Sequence, residues 1–130
     1  MTSQRTTDFS TLPPIMAVDF DGTLVCDDFP EIGYERVSVV KVVKQLQKLG
    51  VRTILWTSRT GKYLDEAVKW CREHDIRLDA INQNLPEVIE LAGEDTRKVF
   101  ADVYIDDRAR LPDSDEIKEQ IEGFYKWLGK

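Results

Sequence analysis

Four short apolar runs, each cut off by polar side chains and separated from the next by a stretch of helical periodicity, restrict this chain to few folds. The runs are Ile15–Phe20 (IMAVDF), Val51–Trp56 (VRTILW), the weaker Leu78–Ile81, and Val99–Ile105, and each reads as a buried strand running into a loop. Between the first two, Val39, Val42, Val43 and Leu46 recur at helical spacing, and Gly50 follows Leu49 where a left-handed helix terminus favours glycine. Leu64, Ala67, Val68 and Cys71 repeat the pattern after the polar turn Ser58–Gly61. Pro86 opens a short helix through Leu91, and Ile117, Ile121, Phe124 and Leu128 stripe a last one. Strands that alternate with helices pair in parallel, because parallel neighbours need crossover connections, and the helices then cover both faces of the sheet. The expected architecture is α/β, a three-layer sandwich around a mainly parallel sheet.

With 130 residues the chain fits one domain, able to bury roughly two thirds of its unfolded surface. We expect a flexible N-terminal tail over 1–14, rich in Ser and Thr, and a single domain over 15–130. No apolar run approaches the roughly 18 residues of a membrane span, and the tail lacks the apolar stretch of a secretory signal. Cys26 and Cys71 stand far apart without metal-ligand spacing, so neither a disulfide framework nor a zinc site is indicated, and a cytoplasmic location is expected. Twenty-four acidic against eighteen basic residues give a net charge of −6, which disfavours broad nucleic-acid binding.

In parallel sheets the ligand site lies beyond the carboxyl ends of the strands. The first strand here ends in Asp19-Phe20-Asp21-Gly22-Thr23, the second in Thr57-Ser58-Arg59, the third near Asn82, and the fourth in Asp106-Asp107-Arg108. At least four carboxylates would thus meet at one edge. Two unit charges about 4 Å apart repel by about 4 kcal/mol at an effective dielectric near 20, so such a cluster is costly without a cation. Hard oxygen donors without Cys or His nearby point to Mg²⁺, and His74 reads as a surface residue. A phosphate ester suits this geometry, provided the metal and a fixed positive charge offset the repulsion between phosphoryl group and carboxylates. Lys98, at the start of the fourth strand, is the candidate charge. Gly22 meets the need for backbone to pass close to a phosphate. Cys26 and the tryptophans Trp56, Trp70 and Trp127 read as packing residues. A calcium loop beginning at Asp19 is excluded, because its sixth position is Leu24 rather than glycine.

These residues resemble the haloacid dehalogenase superfamily, whose phosphatases carry DxDGT, then Thr or Ser after a second apolar strand, then Lys or Arg, then an acidic pair. The chain offers DFDGTLV at Asp19–Val25, ILWTSR at Ile54–Arg59, Lys98, and IDDR at Ile105–Arg108, in that order. The resemblance implies a Rossmann-like, HAD-like fold without a cap domain, since Val25–Arg36 leaves room only for a flap and Asn82–Arg97 only for a short helix. It implies a Mg²⁺-dependent phosphohydrolase that works through an aspartyl phosphate on Asp19, with Asp21 as general acid and base. Asp19, Asp106, Asp107 and the backbone carbonyl of Asp21 would hold the metal, and Thr57, Ser58, Lys98 and Gly22 would surround the phosphate. Phe29, Ile32 and Tyr34 on the flap are candidate substrate contacts. Arg59, Asn82 and Asn84 read equally as site residues or as turn residues. The expected substrate is a phosphorylated small molecule. A phosphorylated nucleic-acid end remains an alternative, as does a receiver-like phosphoacceptor domain in signalling, and an oligomer is compatible with an uncapped site.

Overall fold

The computed structural model describes residues 9–107 and positions 119, 122, 123 and 126. Strands β1 (Ile15–Val18), β2 (Arg52–Leu55), β3 (Ala80–Ile81) and β4 (Val103–Ile105) form one sheet in the order β3-β2-β1-β4, with every pairing parallel. Helix α1 (Val37–Lys48) crosses from β1 to β2, α2 (Gly61–Glu73) from β2 to β3, and α3 (Pro86–Ala92) lies between β3 and β4. The chain therefore steps outward twice and then returns to the far side of β1. That return reverses the winding, and it divides the helices between the two faces.

Alternation along β1 shows the division. Met16 and Val18 join Val39, Val40 and Val43 of α1 and Ala67 and Cys71 of α2 in one core cluster, whereas Ile15 and Ala17 join Leu85, Val88 and Val99 in a second on the opposite face. A strand buried on both faces reads as an unbroken apolar run, as Ile15–Val18 does; its residues are at most 1% exposed. Each such branched side chain stabilises the fold by about 1.5–3 kcal/mol through burial. The result is the Rossmann-like three-layer architecture that the periodicity anticipates, without a cap domain among the described residues.

Carboxylates tie the amino ends of the strands. Asp102 donates its amide to the Ile15 carbonyl and accepts the Ile15 amide on Oδ2, both at 2.8 Å, which docks the approach to β4 against β1. Asp79 repeats the arrangement with Thr53 ahead of β3, also at 2.8 Å, and Arg52 and Arg77 flank its carboxylate. The segment before β4 is organised by Asn84, which is fully buried. Its Oδ1 accepts the Phe100 amide at 2.6 Å, and its Nδ2 donates to Asp95 at 2.7 Å and to Thr96.

Two boundaries differ from the sequence reading. Val99 and Phe100 are apolar because they pack into the second cluster, so β4 begins only at Val103. The proposed tail is shorter than 1–14: Phe9–Thr11 form a 3-10 turn, Leu12 packs against the second cluster, and the Pro14 carbonyl accepts the Arg52 amide at 2.8 Å. Residues 1–8 and the stripe Ile117, Ile121, Phe124 and Leu128 lie outside the described residues.

Asn84→Ala should destabilise the protein by about 2–3 kcal/mol, since it removes a fully buried amide and its side-chain hydrogen bonds to Phe100, Asp95 and Thr96. Urea unfolding followed by circular dichroism would measure the loss.

Candidate functional site

The winding reverses between β1 and β4, and there Asp19 leaves β1 while Asp106 and Asp107 leave β4. The Asp19 amide continues the ladder by donating to the Ile105 carbonyl at 2.9 Å, which fixes the two strand ends side by side. One carboxylate oxygen from each of Asp19, Asp106 and Asp107 then lies within 4.8 Å of the others.

A tight turn after β1 brings these groups together. The Thr23, Leu24 and Val25 amides converge on the Phe20 carbonyl, and Gly22 takes φ +82° and donates to the Val25 carbonyl. The buried Thr23 hydroxyl donates to Asp19 Oδ2 at 3.3 Å and accepts the Asp107 amide at 3.0 Å, so it bridges the first and last strand ends. Sequence reasoning placed Thr23 within the motif without giving it a task. Gly22 meets a different need from the one anticipated. A Cβ there would lie 2.8 Å from Asp107 Cγ, so the missing side chain leaves room for a carboxylate rather than for a phosphate.

Burial is the largest influence on Asp19, and with the nearby Asp106 and Asp107 it outweighs the Phe20 amide and pushes the carboxyl up to about 7. An acid held that high by desolvation and by like charges gains from any cation placed among them. The donor set is all carboxylate oxygen, which fits Mg²⁺ and gives a soft metal no thiol or imidazole. His74 is occupied elsewhere: its ring stacks on Trp70 at 3.7 Å between centroids, and Nδ1 lies 2.7 Å from the Trp70 carbonyl.

Asp19, Asp21, Asp106 and Asp107 line a cleft of about 890 Å³, together with Asp27, Phe29, Trp56, Thr57, Ser58, Arg59 and Asn82. The Thr57 amide donates to Asn82 Oδ1 at 2.8 Å, and the Thr57 hydroxyl accepts the Arg59 amide at 3.1 Å. Asn82 sits at φ +51°, a left-handed conformation that asparagine tolerates better than most residues. It therefore acts as the brace for the loop after β2.

Arg59 is the group that sequence reasoning underrated. Its guanidinium forks onto Asp21, with Nε and Nη2 each 2.7 Å from a carboxylate oxygen, and the Asp21 hydrogen bonds raise the arginine pKa still further. Only its position two residues after Thr57 could have marked it out. Two other candidates fall elsewhere. Asn84 is the buried hub described above and does not line the cleft. Lys98 is exposed, with Nζ 5.3 Å from the centroid of the Tyr104 ring, and it too is absent from the cleft lining. Lys98 lies five residues ahead of β4, in the loop that leads into the strand.

A solved structure described as that of a conserved protein from Bacteroides thetaiotaomicron matches with a TM-score of 0.73 and 43% sequence identity, covering 84% of this chain and 89% of the other. Its description names no activity. No family model matches the chain, and neither does any curated protein.

The raised Asp19 carboxyl sets a sign for stability. Its folded pKa of about 7 lies above the ordinary 3.8, so its contribution to stability is fully present below 3.8 and is lost as pH rises through about 7. The protein in EDTA should melt at progressively lower temperature between about pH 4 and pH 7, and saturating Mg²⁺ should cancel most of that loss. Scanning calorimetry with and without the ion checks this; curves that coincide at pH 8 would leave no cation site. Gly22→Ala should remove the stabilisation by Mg²⁺, because the methyl group must displace Asp107.

Proposed function

We propose a chemistry for a chain that belongs to the same family as the conserved Bacteroides thetaiotaomicron protein: a Mg²⁺-dependent phosphohydrolase of the haloacid dehalogenase type, cleaving phosphate monoesters through an aspartyl phosphate on Asp19. The observation that carries it is the meeting of Asp19, Asp106 and Asp107 within 4.8 Å at the switch point of the sheet, with Asp21 in the same cleft. In this reading those three carboxylates and the Asp21 carbonyl hold Mg²⁺. The ion, when bound, offsets the negative charge of the cleft and of the phosphoryl group.

The chain's own residues account for the remaining steps. Asp19 forms a bond from a carboxylate oxygen to phosphorus while the ester P–O bond breaks, and the departing oxygen takes up a proton from Asp21. Water then attacks phosphorus, Asp21 accepts its proton, and the bond to Asp19 breaks to free orthophosphate and restore the carboxylate. Thr23 orients Asp19 from behind through its 3.3 Å hydrogen bond. Thr57 has spent only lone-pair capacity on the Arg59 amide, so its hydroxyl proton can go to a phosphoryl oxygen. The Ser58 hydroxyl and the loop backbone add donors from the same turn. Lys98, which does not line the cleft, is given no step in this scheme, and Gly22 serves the metal side through Asp107.

The lining also favours one substrate class. Among the described residues five aspartates line the cleft, and the one basic lining residue, Arg59, is committed to Asp21. A polyanionic strand would meet this field along its length, whereas a small ester brings a single phosphoryl group, so small phosphorylated metabolites are favoured over nucleic-acid ends. An acid two residues after the nucleophile, placed in the cleft, suits hydrolysis of the intermediate better than its storage in a signalling receiver.

Asp19→Asn should lower turnover of an aryl phosphate by about three orders of magnitude or more while leaving the circular dichroism spectrum unchanged. Chelation should silence the wild type and added Mg²⁺ restore it. Residual activity of Asp19→Asn near the wild-type level would overturn the assignment of the nucleophile.

A further inference from the structure

The flap after β1 is rooted by an antiparallel bridge between Val25 and Glu35 and by the Cys26 amide donating to the Tyr34 carbonyl at 2.7 Å. Its tip is fastened differently. Arg59 Nη2 donates to the Glu31 carbonyl at 3.0 Å and Nη1 to the Pro30 carbonyl and, on α2, to the Tyr63 carbonyl, both at 3.3 Å, while Nε and Nη2 also grip Asp21. The rings of Phe20 and Phe29 each lie 5.1 Å from its central carbon, and the residue is only 2% exposed.

We propose that Arg59 is a positioning residue, a clamp that binds the Asp21 carboxylate and the flap backbone into one mechanical unit. The planar fork supplies two parallel donors for the carboxylate and directs the remaining N–H groups to the carbonyls, a division that the point charge of lysine cannot reproduce. A buried cation that lost either set of partners would be left poorly compensated, so neither end releases independently. Each Asp21 oxygen has two acceptor sites and spends one on Arg59, so the other can receive a proton from water in the cleft. Arg59 thereby aims Asp21 at the breakdown of the aspartyl phosphate. This catalytic half rests on the phosphohydrolase reading, and the mechanical half does not.

Both halves can be tested on the full chain with Arg59→Lys, which keeps the charge. Hydrogen–deuterium exchange should become about tenfold or more faster at the amides of residues 27–34 and stay unchanged in β1 and β2. Unchanged flap exchange would overturn the clamp. In rapid-quench assays with p-nitrophenyl phosphate, kcat should fall about tenfold with KM within about twofold, and the phosphoenzyme burst should grow relative to the steady-state rate. A general loss of structure would shrink burst and steady state together, and that result would overturn the role in positioning Asp21. If the wild type turns over no ester while the flap still responds to Arg59→Lys, the phosphohydrolase reading fails and the clamp stands. Should Arg59→Lys not fold, Asp21→Asn gives the same comparison from the other end: faster flap exchange supports the coupling, and unchanged exchange overturns it.

Discussion

Mutual repulsion among Asp19, Asp106 and Asp107 is the condition around which the molecule is arranged. Carboxylates about 4 Å apart oppose one another by several kcal/mol in a partly buried setting, and nothing in an ordinary folding requirement would bring them together. They are held because the Asp19 amide completes the β1–β4 ladder, because Thr23 bridges Asp19 to the Asp107 backbone, and because Gly22 leaves the space that the Asp107 carboxylate fills. Each of these is a packing or hydrogen-bonding constraint that works against the repulsion at the end of a rigid strand. A loop alone could not resist the repulsion; a strand buried on both faces can.

The sheet order explains why the strain is concentrated at one place. Two crossovers in one direction followed by a return past β1 open a crevice only where neighbouring connections diverge. Residues that terminate β1 and β4 face that crevice from its two sides, and the loop after β2 closes a third. The functional reading therefore draws on topology as much as on residue type, since the same aspartates at the amino ends would act as Asp79 and Asp102 do, by capping backbone amides.

Much of this was legible beforehand. Apolar runs and helical periodicity located every strand and α-helix among the described residues, though not the 3-10 turn Phe9–Thr11, because burial on both sheet faces leaves a distinctive composition. The aspartates could be placed at the site because strand ends are fixed by those runs. What escaped was set by tertiary contact. Val99 and Phe100 look like strand residues but serve the second core, which moves the start of β4 to Val103. Asn84 and Asn82 are indistinguishable as loop amides, yet one is a buried hub and the other braces Thr57. Arg59 and Thr23 lacked any local mark of their distant partners Asp21 and Asp107, which lie 38 and 84 residues away.

The flap is held at its tip through main-chain oxygens of Pro30 and Glu31, atoms that every amino acid possesses. Phe29, whose ring faces Arg59, and Gly33, where a Cβ would collide with the Cys26 backbone, keep a duty to the latch, but other side chains, such as the 89% exposed Tyr34, are released from it. Those positions can be rewritten while the closure survives, which gives evolution, or an engineer, a place to retune what the molecule accepts without touching how it works.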